Sequence, residues 1–243
     1  MSGSQIIRNI VDNDERYYKL GRKLGEGGFG AVVACKVKTI SDQTNAMYHL
    51  RELDVWYKAS QRTQHVARLF DASYNHRTGV GRIYMELLKG GDAWKFSDSV
   101  QKRGDAIHPL LLCIIAYQTA HGLEEIHQKG ILHRDLKPDN VLLTKKITPE
   151  MNNVLWELSD TGTVRGSTRK AHLDELWNTI LGEKRLAVLT DFGVSRDLTA
   201  PTSSQGRLTK MGGFSAAYNA PEMVGDNVQS QAADVFSFGM IVY

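Results

Sequence analysis

The chain has 243 residues, of which 42% are hydrophobic and 23% are charged, and its formal net charge at neutral pH is +3. This length is enough to bury one large core or two smaller ones, and the composition is that of an ordinary globular protein. Lysine and arginine form no dense basic stripe, so we expect no nucleic-acid partner. The longest apolar run, Leu110 to Tyr117, is too short to span a bilayer, so we expect no membrane span.

The two cysteines indicate the compartment. Cys35 and Cys113 lie far apart in the sequence, so they form neither a metal-binding spacing nor a disulfide framework. The N-terminus also lacks the long apolar core of a secretion signal. We therefore expect an intracellular protein, located in the cytoplasm or the nucleus.

The first third of the chain is dominated by strand patterns. A polar lead-in, residues 1–17, precedes KLGEGGFGAVVACKVK, which predicts a strand, a glycine-rich turn and a second strand. The later segments predict a short strand AMYHL at 46–50, a helix at about 50–60 and a strand RIYMELL at 82–88. We assign residues 18–85 to a small, strand-rich lobe.

The pattern changes at Pro109, where a long apolar helix begins that we expect to stop at Gly130. ILHRDLKPDNVLL and LAVLTDFGVSR then predict loops flanked by short strands. Between them lies a polar insert at about 144–184, within which 174–181 has helical apolar spacing. DVFSFGMIVY predicts a final buried helix. Residues 86–243 thus form a larger helical lobe, and the predicted fold class is α+β with two lobes.

GEGGFG places Gly25, Gly27 and Gly30 in a G-x-G-x-x-G pattern that Val32 extends. Glycine lets a backbone approach phosphate groups closely, and its N–H groups can point at anionic oxygens. A dinucleotide-binding fingerprint would need a helix directly after the glycines, whereas β-branched residues follow here. The pattern favours a phosphate-binding hairpin, with a plain glycine hairpin as the alternative.

HRDLKPDN and DFG are the two loops that carry chemistry. Asp135 has Lys137 two residues further on, and a carboxylate near a lysine stays ionised and can accept a proton from a hydroxyl. Lys137 can neutralise charge on a transferred phosphoryl group. Asn140 and Asp191 offer hard oxygen ligands, which suit Mg²⁺ held jointly with phosphate oxygens. Together with the glycine-rich loop, these are the parts that phosphoryl transfer needs.

The chain from about Tyr18 to Tyr243 resembles a eukaryotic protein kinase domain. The motifs stand in family order: GEGGFGAV, YMELLKGGD, HRDLKPDN, DFG, APE and DVFSFG. The resemblance implies transfer of the ATP γ-phosphate to a protein, with ATP and Mg²⁺ as cofactors. Lys137 directly after HRDL is typical of the serine/threonine type. The implied partner is therefore a protein substrate with a Ser or Thr acceptor.

The resemblance also implies a role for each matching residue. Asp135 would be the catalytic base and Lys137 the charge stabiliser, while Asn140 and Asp191 would hold Mg²⁺. The remaining implied residues surround the nucleotide: Gly25, Gly27 and Gly30 over the phosphates, Val32, Ala46 and Leu142 around adenine, Met85 behind it, Glu86 to Leu88 as the hinge, and Asp92 at the ribose.

The sequence departs from the family where a phosphate-binding lysine is expected. The family's third strand reads Ala, an apolar residue, then Lys, but here Ala46 and Met47 are followed by Tyr48, which supplies no positive charge. Glu52, the best candidate for the lysine's helix partner, also follows Gly30 sooner than usual; Asp54 is a second candidate. We infer that about a dozen residues are absent between Met47 and about residue 50, relative to the family pattern, and that the lysine went with them.

Three interpretations follow. A divergent enzyme would use a neighbouring lysine, with Lys23, Lys36 and Lys38 as candidates. A pseudokinase would act as a nucleotide-binding or scaffolding module. A damaged copy of an active kinase would also fit, because the insert separates Asn140 from Asp191 and the helices that normally follow DVFSFG are missing from the sequence. Retention of both HRD and DFG favours an active ancestor.

The loop between DFG and APE is rich in Ser and Thr. Phosphorylation there would dock on Arg134 and order the loop. The alternative is a flexible polar loop without a regulatory role.

Overall fold

The computed structural model describes residues 26–27, 30–31, 35–40, 53–75, 80–163, 165–181, 184–200, 217–225 and 230–243. Small antiparallel sheets come first and a mainly helical part follows, so the predicted two-lobed α+β fold class is confirmed. Several predicted site residues lie outside the described residues: Gly25, Val32 and Ala46, together with Lys23, Tyr48 and Glu52.

The glycine-rich segment forms a hairpin, as predicted. Strand β1 (Glu26–Gly27) pairs antiparallel with β2 (Gly30–Ala31), and Gly27 lies opposite Gly30. Gly27 and Gly30 carry no side chain, so the backbone can be approached closely at these two positions.

Among the described strands, β3 (Cys35–Ile40) pairs with β5 (Val80–Glu86), which in turn pairs with β4 (Leu69–Asn75). The order is β3–β5–β4, and both pairs are antiparallel. Lys36 is in register with Met85, and Lys38 with Ile83. The predicted strand at 82–88 therefore begins and ends two residues earlier than expected.

A helix at residues 53–60, here α1, follows and confirms the described part of the helix predicted at 50–60. It buries Leu53, Trp56 and Ala59, which recur at the three-residue spacing of one helix face. The Trp56 indole Nε1 donates a hydrogen bond to the carbonyl oxygen of Ala67 at 2.8 Å. The buried face thus orients α1 against the segment that leads into β4.

Lys129 of the large lobe caps the C-terminal end of α1. The Lys129 ammonium donates to the carbonyl oxygens of Lys58 and Ala59 at 3.1 and 3.0 Å, and also to that of Gln61. These carbonyls have no partner within the helix, and a cation at a helix C-terminus also complements the helix dipole. Burial lowers the pKa of Lys129. Residue 129 thereby fixes α1 to the large lobe.

The large lobe is built on helices α2 (Ala93–Gln101), α3 (Pro109–His127), α6 (Pro221–Gly225) and α7 (Gln231–Val242). Helix α3 is the predicted long helix, and it begins with proline as its first residue. The turn after it ends at Gly130, whose φ of +70° is a conformation that suits glycine. The described helices include none with the length and apolar character needed to cross a membrane.

Short strands hold the two motif loops. Strand β6 (Gly91–Asp92) pairs with β8 (Val141–Leu143), and β8 pairs with β9 (Ala187–Leu189). Strand β7 (Ile131–Leu132) pairs with β10 (Arg196–Asp197). HRDLKPDN therefore connects β7 to β8, and DFG connects β9 to β10. Because the strands of both pairs are neighbours, the two loops lie side by side.

The predicted insert is helical over more of its length than the sequence pattern indicated. It contains α4 (Pro149–Thr161), α5 (Ser167–Leu176) and a π-helical turn (Trp177–Leu181). Only 174–181 was predicted as helical, so α4 was missed. Its signals are present: the Thr148 side chain accepts a hydrogen bond from Met151 N, and Gly162 ends the helix at φ +65°.

Candidate active site

The three residues predicted on the HRDLKPDN loop lie together. The Lys137 Nζ is 2.8 Å from Asp135 Oδ2. The Asn140 amide nitrogen donates to the carbonyl oxygen of Asp135 at 2.7 Å and to its Oδ2 at 3.1 Å. The Asp135 carboxylate is thus held from two sides, and about a fifth of its side chain reaches solvent. A partly open carboxylate in a fixed orientation is placed to accept a proton from a hydroxyl group.

A buried carboxylate from α7 holds this loop. Asp234 Oδ1 accepts a hydrogen bond from Arg134 N at 2.8 Å, and Oδ2 accepts one from His133 N at 2.9 Å. The His127 Nε2 donates a further bond to Oδ2, also at 2.9 Å. The side chain of Asp234 is only 2% exposed. It supplies the acceptors that the backbone needs where Arg134 adopts a left-handed φ of +72°.

Sequence reasoning missed this role of Asp234. The available signal was a carboxylate in the first turn of an otherwise apolar helix. Such a group is buried only when it is paired or hydrogen-bonded. The pattern alone did not identify its partners, because they lie about a hundred residues earlier in the chain.

The loop that carries Asp191 packs directly against the Asp135 loop. Thr190 N donates to the carbonyl oxygen of Asn140 at 3.0 Å, and His133 Nε2 donates to the carbonyl oxygen of Thr190, also at 3.0 Å. Asp191 has a φ of +61°, a strained conformation for a residue with a side chain, and such strain concentrates at functional sites. The structure therefore brings the two predicted metal ligands, Asn140 and Asp191, onto neighbouring loops.

An aromatic stack connects α1 to these loops. The Trp56 and Phe192 rings are stacked with centroids 6.1 Å apart, and the His133 and Phe192 rings lie 5.2 Å apart. Phe192 is almost fully buried. On the same helix, Lys58 Nζ forms an ion pair with Asp197 Oδ2 at 2.7 Å. The position of α1 is thereby tied to the segment that contains Asp191.

The predicted hinge begins where β5 ends. Met85 is 4% exposed and belongs to the core, which agrees with a position behind the nucleotide. The Glu86 carboxylate is not directed at a ligand site but pairs with Arg185. Leu87 is exposed, and Leu88 packs partly buried against the core. The backbone of 86–88 thus crosses from one lobe to the other.

Asp92, the predicted ribose contact, caps a helix. Its Oδ1 accepts a hydrogen bond from Lys95 N at 2.7 Å, and its Oδ2 accepts one from Lys95 Nζ at 2.6 Å. This ion pair raises the pKa of Lys95. Asp92 lies in register with Leu142, the predicted adenine contact, which packs partly buried against the core. The two residues therefore lie opposite each other on the neighbouring strands β6 and β8.

Asp54, the second candidate for the helix carboxylate, has an unusual environment. Burial raises its pKa from 3.8 to about 6. Its Oδ1 is buried and has no hydrogen-bond partner among the described residues. A carboxylate in such a position favours the protonated form.

Arg134 forms a buried cationic site beside the loops. Its Nη1 donates to the carbonyl oxygen of Val194 at 2.8 Å, whereas Nε and Nη2 have no hydrogen-bond partner within the described part of the chain. Burial, followed by the neighbouring charge of Arg196, lowers the pKa of Arg134 to about 10. Such a site attracts an anion. Phosphorylation of the nearby loop stays a prediction, because residues 201–216 lie outside the described residues.

The site fits a magnesium–nucleotide complex better than a metal held by protein alone. The described residues contain no group of three or more His, Cys, Asp or Glu side chains that could hold a metal ion. Asn140 and Asp191 offer two oxygen-bearing side chains on adjacent loops. Mg²⁺ commonly takes one or two protein ligands and completes its shell with water and phosphate oxygens. ATP and Mg²⁺ are the cofactors that the family uses.

Comparison with known proteins shows the family. Residues 18–243 match the protein kinase domain family. The chain is 27% identical to MAP kinase-activated protein kinase 2 of Oryctolagus cuniculus, over 100% of this chain and 56% of that protein. It is 29% identical to serine/threonine-protein kinase 16 of Rattus norvegicus, over 97% of this chain and 71% of that protein. A mitogen-activated protein kinase kinase of Aspergillus fumigatus is 32% identical over 56% of this chain and 29% of that protein.

The chain spans 29% and 56% of the length of two of these relatives. The match nevertheless covers nearly the whole chain, from the strands before the hinge through both motif loops to α7. The chain therefore belongs to the protein kinase domain family.

Proposed function

We propose that this chain is an ATP-dependent protein kinase that transfers the γ-phosphate to Ser or Thr hydroxyls of a protein substrate. The observation that carries the proposal is the Asp135–Lys137–Asn140 arrangement, held by buried Asp234 beside the Asp191 loop. Catalysis of phosphoryl transfer consists mainly of positioning and charge stabilisation. Both requirements are met by residues whose geometry the large lobe fixes.

The proposed mechanism assigns a role to each of these residues. Asp135 orients the acceptor hydroxyl and accepts its proton, while Asn140 Nδ2 holds the Asp135 carboxylate in place. Lys137, 2.8 Å from Asp135, stabilises negative charge on the transferred group. Bound Mg-ATP supplies the phosphoryl group, and Asn140 and Asp191 would hold the metal. The Lys137 position supports Ser/Thr rather than Tyr specificity.

We propose that Lys36 supplies the positive charge that is missing at Tyr48. Lys36 lies on β3, in register with buried Met85, directly before the hinge. Ala34-Cys35-Lys36 also matches the family order of Ala, apolar residue and Lys. On this alignment Ala34 would take the place predicted for Ala46 beside adenine, and the shortened region would lie before the lysine. Both alanines lie outside the described residues.

Lys38 is the weaker candidate. It is in register with Ile83, two residues further from the hinge. Two residues along a strand correspond to about 7 Å, so Lys38 lies beyond the place where the phosphates are expected. Glu52, the first candidate for the partner of the lysine, follows Lys36 by sixteen positions.

The alternative function is a pseudokinase that binds nucleotide or acts as a scaffold. Tyr48 at the position first expected for the lysine favours it. The two functions differ in a single outcome, because only the enzyme forms phosphorylated product.

The proposal is tested by transfer of radiolabelled γ-phosphate from Mg-ATP to a generic Ser/Thr protein substrate. We expect transfer by the chain, and a rate lower by a factor of about 10² to 10⁴ in Asp135→Asn, because the base is lost. Asp98→Asn, on the exposed face of α2, is the matched control and should transfer at the unchanged rate. Absence of product from folded wild-type protein, or equal rates for wild type and Asp135→Asn, would contradict the proposal.

A further inference from the structure

Arg185 and Glu86 form a two-pronged ion pair at the beginning of the hinge. Nη1 of Arg185 lies 2.6 Å from Glu86 Oε1, and Nη2 lies 2.8 Å from Oε2. The side chains are only 19% and 24% exposed. Two parallel charge-assisted hydrogen bonds fix both the distance and the orientation of the partners. Screening by solvent is weak at this degree of burial.

The same guanidinium reaches the segment that follows α1. Nη2 donates to the carbonyl oxygen of Val66 at 3.0 Å, and Nε donates to that of Gln64. Glu86 Oε2 additionally accepts from Arg68 N at 3.3 Å. The pair therefore fixes the hinge, and the segment after α1, as one unit.

The insert places Arg185 in this position. Its two ends meet where Thr144 N donates to the carbonyl oxygen of Leu186 at 2.8 Å and Thr144 Oγ1 donates to that of Arg185 at 2.7 Å. We call these two ends, Thr144 on one side and Arg185 with Leu186 on the other, the stem. On the other side of the stem, Gly90 N donates to the carbonyl oxygen of Leu143 at 2.9 Å.

The contact at Gly90 allows no side chain. A Cβ atom at this position would lie 2.2 Å from the backbone oxygen of Lys145. The stem therefore contacts the hinge region in two places. Gly90 lies against one side of the stem, and Arg185 on the other side of the stem holds Glu86.

We propose that Arg185 is a positioning residue for adenine-nucleotide binding, acting through Glu86 on the hinge backbone at 86–88. The inference rests on the proposed function, because that function makes 86–88 the nucleotide-contacting segment. Arg185 itself touches no reacting atom. Through Glu86, it fixes the orientation of the hinge backbone relative to the stem and to the segment after α1. Lysine cannot replace it, since a single ammonium cannot bond both carboxylate oxygens and two carbonyls in this planar arrangement.

The test uses the whole chain and measures the Kd of Mg-ATP together with KM and kcat. We expect Arg185→Ala and Arg185→Lys each to raise the Kd and the KM for ATP about tenfold, a change typical of coupled contacting residues. We expect kcat at saturating ATP to change less than about twofold, because the lost interaction acts on binding. The matched control is Arg103→Ala, whose partner is Glu150 in an exposed pair, and it should leave all three values unchanged.

A double-mutant cycle tests whether Arg185 acts through Glu86. If it does, adding Glu86→Gln to Arg185→Ala should raise the Kd little further, whereas independent roles would give additive losses. Thermal unfolding of every variant identifies any protein that has lost its fold. If Arg185→Ala is unfolded, the Kd of the conservative Arg185→Lys variant tests the inference. An unchanged Kd in folded Arg185→Ala and Arg185→Lys would overturn the inference, as would a loss confined to kcat.

The outcome also separates this inference from the proposed function. Nucleotide binding without phosphoryl transfer would remove the enzyme proposal alone, and the Kd series would still test Arg185. Transfer by the wild type with unaltered nucleotide binding in the Arg185 variants would remove only the inference. Failure of the wild type to bind Mg-ATP would overturn both.

Discussion

The Asp135 loop and strand β3 carry the two halves of the proposed catalytic set, and they are held in different ways. The loop is fixed by side chains that bond directly to its backbone, with Asp234 accepting from two successive N–H groups. Strand β3 is held by its antiparallel pairing with β5. This pairing fixes each residue of β3 only relative to its partner on β5.

The difference teaches where a kinase domain tolerates change. A loop held by individual side chains fails when one of them is lost. A strand held by register keeps the pairing of its residues, such as Lys36 opposite Met85, whatever the length of the segment before it. If Lys36 is the phosphate-binding lysine, as proposed, we expect changes of length to be tolerated before β3 and not within HRDLKPDN.

Loss of Asp234, which holds the Asp135 loop, should destabilise the protein strongly. In Asp234→Asn, one carboxylate oxygen becomes an NH₂ group that faces a backbone N–H donor, so at least one buried bond is lost. We expect a loss of about 3 kcal/mol of unfolding free energy, as is typical when a buried charged network is broken. Chemical denaturation measures it.

Asp98→Asn is the control for this variant. Asp98 pairs with Lys102 on the surface, and such pairs contribute about 0 to 1 kcal/mol. Equal stability of the two variants would show that the loop does not depend on Asp234.

The aromatic stack between the two regions offers a second test. Trp56→Ala removes a buried ring that contacts Phe192 and bonds Ala67, so we expect about 3 kcal/mol of destabilisation. Trp94→Ala, on an exposed tryptophan of α2, should change stability by about 0.5 kcal/mol or less. The denaturant midpoints of the two variants measure this difference in stability. Similar losses would mean that the stack does not stabilise α1.

A smaller effect concerns Asp54 in the small lobe. Its pKa rises from 3.8 unfolded to about 6 folded, so the folded state binds more protons between these values. Stability from this group is therefore complete below about pH 4 and is lost as the pH rises through 6. After discounting for solvent screening of a half-exposed group, we expect about 1 kcal/mol.

The measurement is the difference in unfolding free energy between wild type and Asp54→Asn at pH 4.5 and pH 7. The advantage of the wild type over the variant should shrink as the pH rises. A pH-independent difference would contradict the burial of this carboxylate.

Much of the fold was predictable because local rules determine it. Pro109 and Gly130 marked the two ends of α3 and its following turn in the sequence. HRDLKPDN predicted a base, a lysine and a metal ligand within eight residues, and the structure places Lys137 Nζ 2.8 Å from Asp135 Oδ2. Helix α4 had equally clear signals in Thr148 and Gly162, but its polar surroundings hid them.

The rest depends on contacts between distant segments. Nothing near Arg185 indicates that its partner is Glu86, which lies 99 residues earlier. Strand register likewise cannot be deduced from one strand alone, so the sequence did not place Lys36 opposite Met85. The inference that the lysine was lost with a segment after Met47 stays a prediction, because residues 41–52 lie outside the described residues. The roles of Gly25, Val32 and Ala46 stay predictions, since these residues lie outside the described residues.

The most direct test of this account compares Lys36→Met and Lys38→Met in the phosphoryl-transfer assay. Both changes remove one charge from the same strand at similar cost in shape. The account predicts that Lys36→Met lowers kcat/KM by a factor of about 10² or more, as expected for lost charge stabilisation, while Lys38→Met stays within about threefold of wild type. A larger loss in Lys38→Met, or equal activity in both, would contradict the assignment made from strand register.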